Sequence, residues 1–374
     1  IVMQGSSIHL ISCYDFYMKI LHVVPQLKHG GVETAVFNSI ERIRKSGYDF
    51  NVLTIERGNC FNNSYVKVEH CLNSSVYNPV CFYKFIRFIH KEKPDLIVYS
   101  LWKSALLGIS LCLLKPFLKS KPKTALIIHN TRFAHFVDYI ITKLSLKITD
   151  SIYFDSEKSK AYFLNRDYAT GEVISFIDKK MVAKKFNNIN GEIKFVFIGR
   201  LHSQKGVDRA LKYIHLFKKQ HEEIRFDIYG PDEGELNNII NKVNKLGLQD
   251  KVVYKGVVDN NKVNDILTQY DFYLQFSHFE GMAMSVVDAM QVGVIPIVNN
   301  VGEIPNYVKN NINGIILDDK KLGDENYLNL NISCLLNIIK NDGGYFLYNN
   351  AIKTFQDNNT YVDDYIKKII NANN

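Results

Sequence analysis

The sequence predicts an α/β protein built from two Rossmann-like, doubly wound parallel-sheet domains. From Met18 onward, short apolar runs alternate with longer amphipathic stretches, the rhythm of strands separated by covering helices. The rhythm breaks once, in the polar, Lys- and Asn-rich stretch DKKMVAKKFNNINGE of residues 178–192, and then restarts. A length of 374 residues also exceeds one ordinary core and suits two domains. The expected organisation is an N-terminal extension at 1–17, a first domain at 18–185, a second at 186–350 and a separate C-terminal helix within 351–374.

Taken in order, KILHVV reads as a strand and HGGVETAVFNSIERIRKSG as a Gly-rich loop entering a helix that ends at Gly47. FNVLTI follows as a strand, and CFYKFIRFIHKEK as a helix stopped by Pro94. DLIVYS is a strand, residues 102–119 a helix, TALIIHN a strand, HFVDYIITKLSLKI a helix and SIYFDS a strand. The second half opens with KFVFIG and runs through helix DRALKYIHLFKKQ, strand FDIYG, helix ELNNIINKVNKLG and strand KVVYKG. It continues with helix KVNDILTQ, strand DFYLQF, the helix that holds Asp288, and strands VIPIV and GIILD.

Composition narrows the class. With 46% hydrophobic and 22% charged residues the chain reads as a globular protein, far from disordered or collagenous extremes. A formal charge of +8 favours anionic partners such as nucleotide phosphates or lipid headgroups. No nucleic-acid partner is expected, because the basic residues are spread over both halves without a recognised binding motif. The six cysteines show neither CxxC nor zinc-site spacing and read as reduced thiols of a cytoplasmic protein. The first seventeen residues lack the basic start and cleavage site of a signal peptide, and the run ALLGISLCLL at 105–114 is too short to span a bilayer.

Open α/β sheets bind ligands beyond the carboxyl ends of their strands, so motifs at those ends carry the functional reading. In HGGVETA, Gly30 and Gly31 let a loop approach a phosphate closely, although a tight strand-to-helix turn alone also explains them. In GRLHSQKG, Gly199 and Gly206 frame Arg200 and Lys205, a fork and a point charge suited to a diphosphate. His129 ends a strand in the first half; a lone histidine is more often a packing residue. In FSHFEGMAMSVVDAM, Glu280 and Asp288 stand eight positions apart across a helix start, with the bare Gly281 between them. Capping would explain Glu280 alone, and a surface acid would explain Asp288.

The ordered set GRLHSQKG, DFYLQFSHFEGMAMSVVDAM and GVIPIV, with HGGVETA near the start, resembles the retaining GT-B glycosyltransferases of family 4, over about Met18 to the C-terminus. The resemblance implies a nucleotide-sugar donor as co-substrate, with no cofactor and no metal; no DxD stands at a strand end. It implies that Arg200 and Lys205 bind the diphosphate, Glu280 contacts sugar hydroxyls and His129 binds the transferred sugar. Gly199, Gly281, Met282, Ala283 and Met284 would offer backbone to sugar or phosphate, Gly30 and Gly31 would approach the phosphate from the other side, and Asp288 would reach the ribose. Two departures stand out: Asp288 replaces the family's second Glu, and of its Pro-Asn-Gly-φ-Asp turn only Asp178 remains, in SFID.

By the same resemblance the C-terminal helix crosses back to the first domain. The acceptor would be a glycan or an undecaprenyl-linked saccharide of a bacterial polysaccharide such as O-antigen or capsule. The basic and aromatic helix at 82–93 reads first as a sheet-covering helix with a solvated basic edge; together with the net charge and the resemblance it also suits an anionic membrane, at the inner face of the cell membrane. Two other readings stay open: a nucleotide-sugar 2-epimerase of the same fold, and a non-catalytic sugar-nucleotide-binding protein.

Overall fold

The computed structural model describes residues 18–26, 31–57, 70–118, 120–129, 133, 135–164 and 171–374. Gly30 and the expected extension at 1–17 lie outside the described residues. The chain divides into two compact units: unit 1 comprises Ile1–Ile174 with Tyr361–Asn374, and unit 2 comprises Ser175–Thr360.

Unit 1 runs β1 (Lys19–Val24), α1 (Gly31–Lys45), β2 (Asp49–Thr54), β3 (His70–Cys71), α2 (Pro79–Glu92), β4 (Leu96–Ser100) and α3 (Trp102–Leu114). It continues with β5 (Lys123–Ile128), α4 (Phe136–Ile148), β6 (Ser151–Phe154), α5 (Glu157–Leu164) and β7 (Glu172–Val173). The strands form one parallel sheet in the order β3-β2-β1-β4-β5-β6-β7. Its central strands are buried almost throughout, as the continuous apolar runs require of a sheet covered on both faces.

Local chemistry sets the helix ends. Asn78 Oδ1 accepts the Val80 N–H at 3.0 Å to cap α2, and Lys93 closes the helix in the left-handed region just before Pro94. Along α2, Cys81, Phe85 and Ile89 are buried and Phe82, Ile86 and Phe88 pack against the core, leaving Tyr83, Lys84 and Arg87 outward. The helix expected over 102–119 is shorter: α3 ends at Leu114, and a 3-10 turn over Lys115–Phe117 follows. Pro116, which lacks an N–H and crowds the preceding turn, accounts for the early stop.

Unit 2 runs β8 (Ile193–Ile198), α6 (Val207–Gln220), β9 (Ile224–Tyr229), α7 (Leu236–Lys245), β10 (Val252–Gly256), α8 (Val263–Leu267) and β11 (Phe272–Gln275). Then come α9 (Met284–Val292), β12 (Ile295–Asn299), α10 (Ile304–Tyr307), β13 (Ile315–Leu317), α11 (Glu325–Asp342) and α12 (Tyr345–Phe355). Its parallel sheet has the order β10-β9-β8-β11-β12-β13. Alternate residues of β8 face opposite ways: Phe195 and Phe197 join one core cluster with α6 and α7, while Val196 and Ile198 join another with α9 and α12.

Residues 175–185, expected to close the first domain, group with unit 2 because they bond to it. Ile177 enters its core, the Val182 N–H donates to Asn264 Oδ1 at 2.8 Å and the Lys184 N–H to the Val292 carbonyl at 2.9 Å. At the other end, α13 (Tyr361–Asp364), a π-helical turn over Tyr365–Ile370 and α14 (Asn371–Asn373) belong to unit 1. The Tyr153 hydroxyl donates to the Lys368 carbonyl at 2.8 Å, and Lys368 Nζ to the Val173 carbonyl at 2.7 Å.

Both sheets reverse direction beside their first strand, at β1/β4 in unit 1 and β8/β11 in unit 2. Such a switch point leaves a crevice at the strand ends, where two connections depart to opposite faces.

Candidate active site

In unit 2 the two loops that leave the switch point are β8 to α6, residues 199–206, and β11 to α9, residues 276–283. They are bonded to each other. The His278 N–H donates to the Gln204 carbonyl at 2.8 Å, and Gln204 Nε2 donates to the Phe279 carbonyl at 3.0 Å. Gly206, at φ 62°, passes so close that a Cβ there would lie 1.9 Å from the Phe276 carbonyl oxygen. Only glycine fits this position, both by conformation and by space.

This joint puts Lys205 against Glu280. Lys205 Nζ donates to Glu280 Oε1 at 2.6 Å, and the two side chains are only 15% and 6% exposed. The same oxygen accepts from Ser277 Oγ at 2.7 Å and Gln275 Nε2 at 2.9 Å. Gln275 is itself fixed, with its Oε1 3.0 Å from the Tyr273 hydroxyl and 3.2 Å from Ser285 Oγ in the first turn of α9. A buried carboxylate so thoroughly bonded is held in one orientation, since each charge-assisted bond it lost would leave a desolvated charge uncompensated.

Glu280 therefore does not cap α9. The helix begins four residues later, at Met284, behind Ala283 in the left-handed region at φ 51° and with no side-chain cap. Its first N–H groups make the dipole's positive end, favourable to an anion. The backbone before it is held from below. A Cβ on Gly302 would lie 2.1 Å from the Glu280 carbonyl oxygen, the Glu303 N–H donates to the Gly281 carbonyl at 3.1 Å, and the Tyr307 hydroxyl donates to the Met282 carbonyl at 2.5 Å. Gly281 by contrast is open, as a Cβ there would meet nothing within 4 Å.

Asp288 stands one turn into α9. Part of its surface remains in contact with solvent, yet its carboxyl is packed deeply enough that desolvation, reinforced by the negative charge of Asp178, raises its pKa to about 7; Lys179 opposes the shift. The surviving residue of the SFID turn is thus an electrostatic neighbour of the shortened acid. Arg200 is engaged elsewhere: its Nη1 donates to Glu233 Oε2 at 2.7 Å, a half-exposed pair beside the loop. Gly199 packs under Phe197, 2.9 Å from the place a Cβ would occupy.

Unit 1 holds the other expected site residues that are described. Gly31 is the first residue of α1, and a Cβ there would meet no described residue within 4 Å. His129 directly follows β5 and, with Trp102, Phe133, Asp138 and Thr142, lines a cavity of about 340 Å3 between α3 and α4. Desolvation lowers its pKa to about 3, so the imidazole is neutral at physiological pH. A second histidine lies close enough to feel its charge. His22, fully buried in β1, has its Nδ1 3.0 Å from the Tyr365 hydroxyl and its Nε2 2.9 Å from Ser100 Oγ. Burial first, and then His129, hold its pKa near 3. Among the described residues no group of three or more His, Cys, Asp or Glu is arranged to hold a metal ion.

Sequence reasoning passed over several residues that shape this site. Gln275 and Ser277 orient Glu280. Behind them Asn299 Nδ2 donates to the Ser277 carbonyl and to Asp319 Oδ1, both at 2.7 Å, and Arg209 spans Asp319 Oδ1 and His278 Nδ1, again at 2.7 Å each. The available signal was a polar residue in an otherwise apolar strand end, at Gln275 and at Asn299.

Two parallel-sheet units with these strand orders define a fold of the GT-B type. Residues 178–327, which contain the whole Lys205–Glu280 arrangement, match the family described as Glycosyl transferases group 1. The phosphatidylinositol N-acetylglucosaminyltransferase GPI3 subunit of Saccharomyces cerevisiae is 26% identical over 186 residues, covering 47% of this chain and 41% of that protein. An uncharacterized 41.2 kDa protein in the cps region of Klebsiella pneumoniae is 28% identical over 127 residues, 34% of this chain and 33% of that one. The chain thus spans less than half the length of either relative. Among solved structures, Anabaena HepE in complex with UDP and glucose superposes with a TM-score of 0.74 over 95% of this chain and 99% of that one, at 16% identity, a likeness of fold.

Proposed function

We propose that the protein is a retaining glycosyltransferase of the group 1, GT-B type, which moves a sugar from a nucleotide-sugar, a UDP-sugar before a GDP-sugar, to a saccharide acceptor. The observation that carries this reading is the Lys205–Glu280 pair at the unit 2 switch point, joined to the uncapped start of α9. Breaking a sugar–phosphate bond builds positive charge on the anomeric carbon and negative charge on the departing diphosphate. Fixed cations and helix N–H groups aimed at the phosphate lower that barrier. In this assignment Lys205 and Arg200 meet the diphosphate, and Arg200 exchanges Glu233 for it. Glu280, already oriented by Gln275 and Ser277, accepts from sugar hydroxyls, and Asp288 serves the ribose. The charge on the leaving group is met by protein groups, without a metal.

The HepE neighbour is described with UDP and glucose, which favours a UDP-sugar donor. The GPI3 relative, named as a phosphatidylinositol N-acetylglucosaminyltransferase subunit, favours a lipid-linked acceptor, and the Klebsiella relative from a cps region favours bacterial surface polysaccharide synthesis. The test is a thermal-shift panel of UDP-glucose, UDP-galactose, UDP-N-acetylglucosamine and GDP-mannose, followed by incubation of the binding donor alone. A donor that binds the folded state raises its apparent stability by mass action. Epimerised sugar with no acceptor present would assign the protein to the 2-epimerases instead, and no stabilisation by any donor would remove the reading.

A further inference from the structure

The outer face of α4 is apolar and uncovered by any described residue. Phe136, Val137, Ile140, Leu144 and Ile148 are all exposed, Phe136 by 73%, and at helical spacing they share an arc of about 120°. Leu113 and Leu114, exposed at the end of α3, extend the surface. The two helices run side by side: Trp102 and His135 make an edge contact at their N-terminal ends, and Cys112 Sγ donates to the Ile148 carbonyl at their C-terminal ends.

Lysines rim this surface. Lys143 and Lys147 lie at one edge of the apolar arc, with the Lys143 ammonium over the Tyr139 ring at 4.5 Å, while Lys115 at the end of α3 is paired with Asp150 Oδ2 at 3.0 Å. Between Trp102 and Ile148 the sequence holds eight basic residues and a single acid, Asp138, which is buried. Nearly all of the chain's net charge of +8 therefore resides in this one span. An apolar helix face rimmed by cations matches a surface that offers acyl chains below anionic headgroups. It does not match a second copy of itself, whose lysines would oppose its own.

We propose that α4 and the end of α3 form a docking face for an anionic lipid bilayer, with Phe136, Ile140 and Leu144 entering the acyl boundary and Lys143 and Lys147 at the headgroups. The basic helix α2 is not required, because its aromatic side chains other than Tyr83 face the core. Docking through α4 also brings the His129 cavity, walled by the same two helices, toward the lipid surface.

The experiment is flotation of the full chain with vesicles of phosphatidylcholine alone or mixed with phosphatidylglycerol, without any sugar nucleotide, so its outcome is independent of the donor reading. The wild-type protein is expected to float with the mixed vesicles and not with the neutral ones. Ile140→Ser with Leu144→Ser should lower partitioning more than about tenfold. Lys143→Gln and Lys147→Gln should each lower it about fivefold at low salt, whereas Tyr83→Ser with Arg87→Gln should leave it unchanged. Thermal midpoints and donor stabilisation, measured without vesicles, establish that each variant is folded. Wild-type partitioning that ignores anionic lipid, α4 variants that float like wild type, or a concentration-dependent dimer abolished by Ile140→Ser with Leu144→Ser would each overturn the proposal.

Discussion

Lys205 and Glu280, seventy-five positions apart in sequence, share a 2.6 Å ion pair because Gly206 lets the loop after β8 lie against the backbone at Phe276. A charge pair this enclosed costs more to halve than to remove whole, since one partner left alone is a desolvated ion.

Lys205→Ala should therefore lower stability by about 1–3 kcal/mol in urea unfolding and donor turnover by about a hundredfold or more. Lys205→Met combined with Glu280→Gln should recover much of the stability and none of the turnover. Full turnover in Lys205→Ala would remove the phosphate assignment.

Gln275 is a positioning residue in this arrangement, touching Glu280 on one side and Ser285 of α9 on the other. Gln275→Leu should reduce kcat about tenfold or more with a smaller change in KM, because the loosened carboxylate is still present to bind. Equal loss in both constants, or a collapse of the thermal midpoint alone, would mark Gln275 as merely structural.

Gly206→Ala should destabilise by more than the roughly 1 kcal/mol typical of a strained backbone alone, since its Cβ would overlap the Phe276 carbonyl. Gly281→Ala, with open space around it, should leave stability nearly unchanged while lowering affinity for the donor. Thermal unfolding with and without UDP-glucose separates the two effects.

The two units should respond to pH in opposite senses. His22 and His129 are held near 3 in the fold against 6.5 unfolded, so the unfolded chain binds more protons between those values. Their contribution to stability is lost as pH falls from about 6.5 toward 3. Asp288 is raised to about 7 from 3.8, so here the folded chain binds the extra proton. That contribution is complete below 3.8 and lost as pH rises through 7. Between about 3.8 and 6.5 the two effects oppose each other, so Asp288→Asn should steepen the loss of stability on acidification and His22→Gln should lessen it, both read by urea midpoints across the pH range.

Much of this was legible in the sequence for definite reasons. Strands such as KILHVV and DFYLQF are apolar on both faces and bounded by turn residues, so the alternation alone gives two doubly wound sheets. Lys205 and Glu280 were legible as chemistry, a cation and an acid at strand ends, but their contact was not, since it depends on two loops meeting through Gly206 and Gln204. The same holds for Gln275 and Asn299, whose polarity makes sense only once Glu280 and Asp319 are in place. His22 was hidden inside a strand whose pattern it does not break, because a neutral imidazole packs as an aromatic until its partners Ser100 and Tyr365 arrive from far along the chain. The helix over 102–119 ended early because Pro116 outweighed the apolar run on either side.

The return of Tyr361–Asn374 to unit 1 makes unit 2 an insertion within it. During synthesis, everything from Ser175 to Thr360 can emerge and fold while His22 still lacks the Tyr365 hydroxyl. Unit 1 is then an open shell, one face of its sheet waiting for the last turns of the chain. A chain cut short just after Thr360 would carry a finished unit 2 attached to an unfinished partner, a species that proteases can distinguish from the whole.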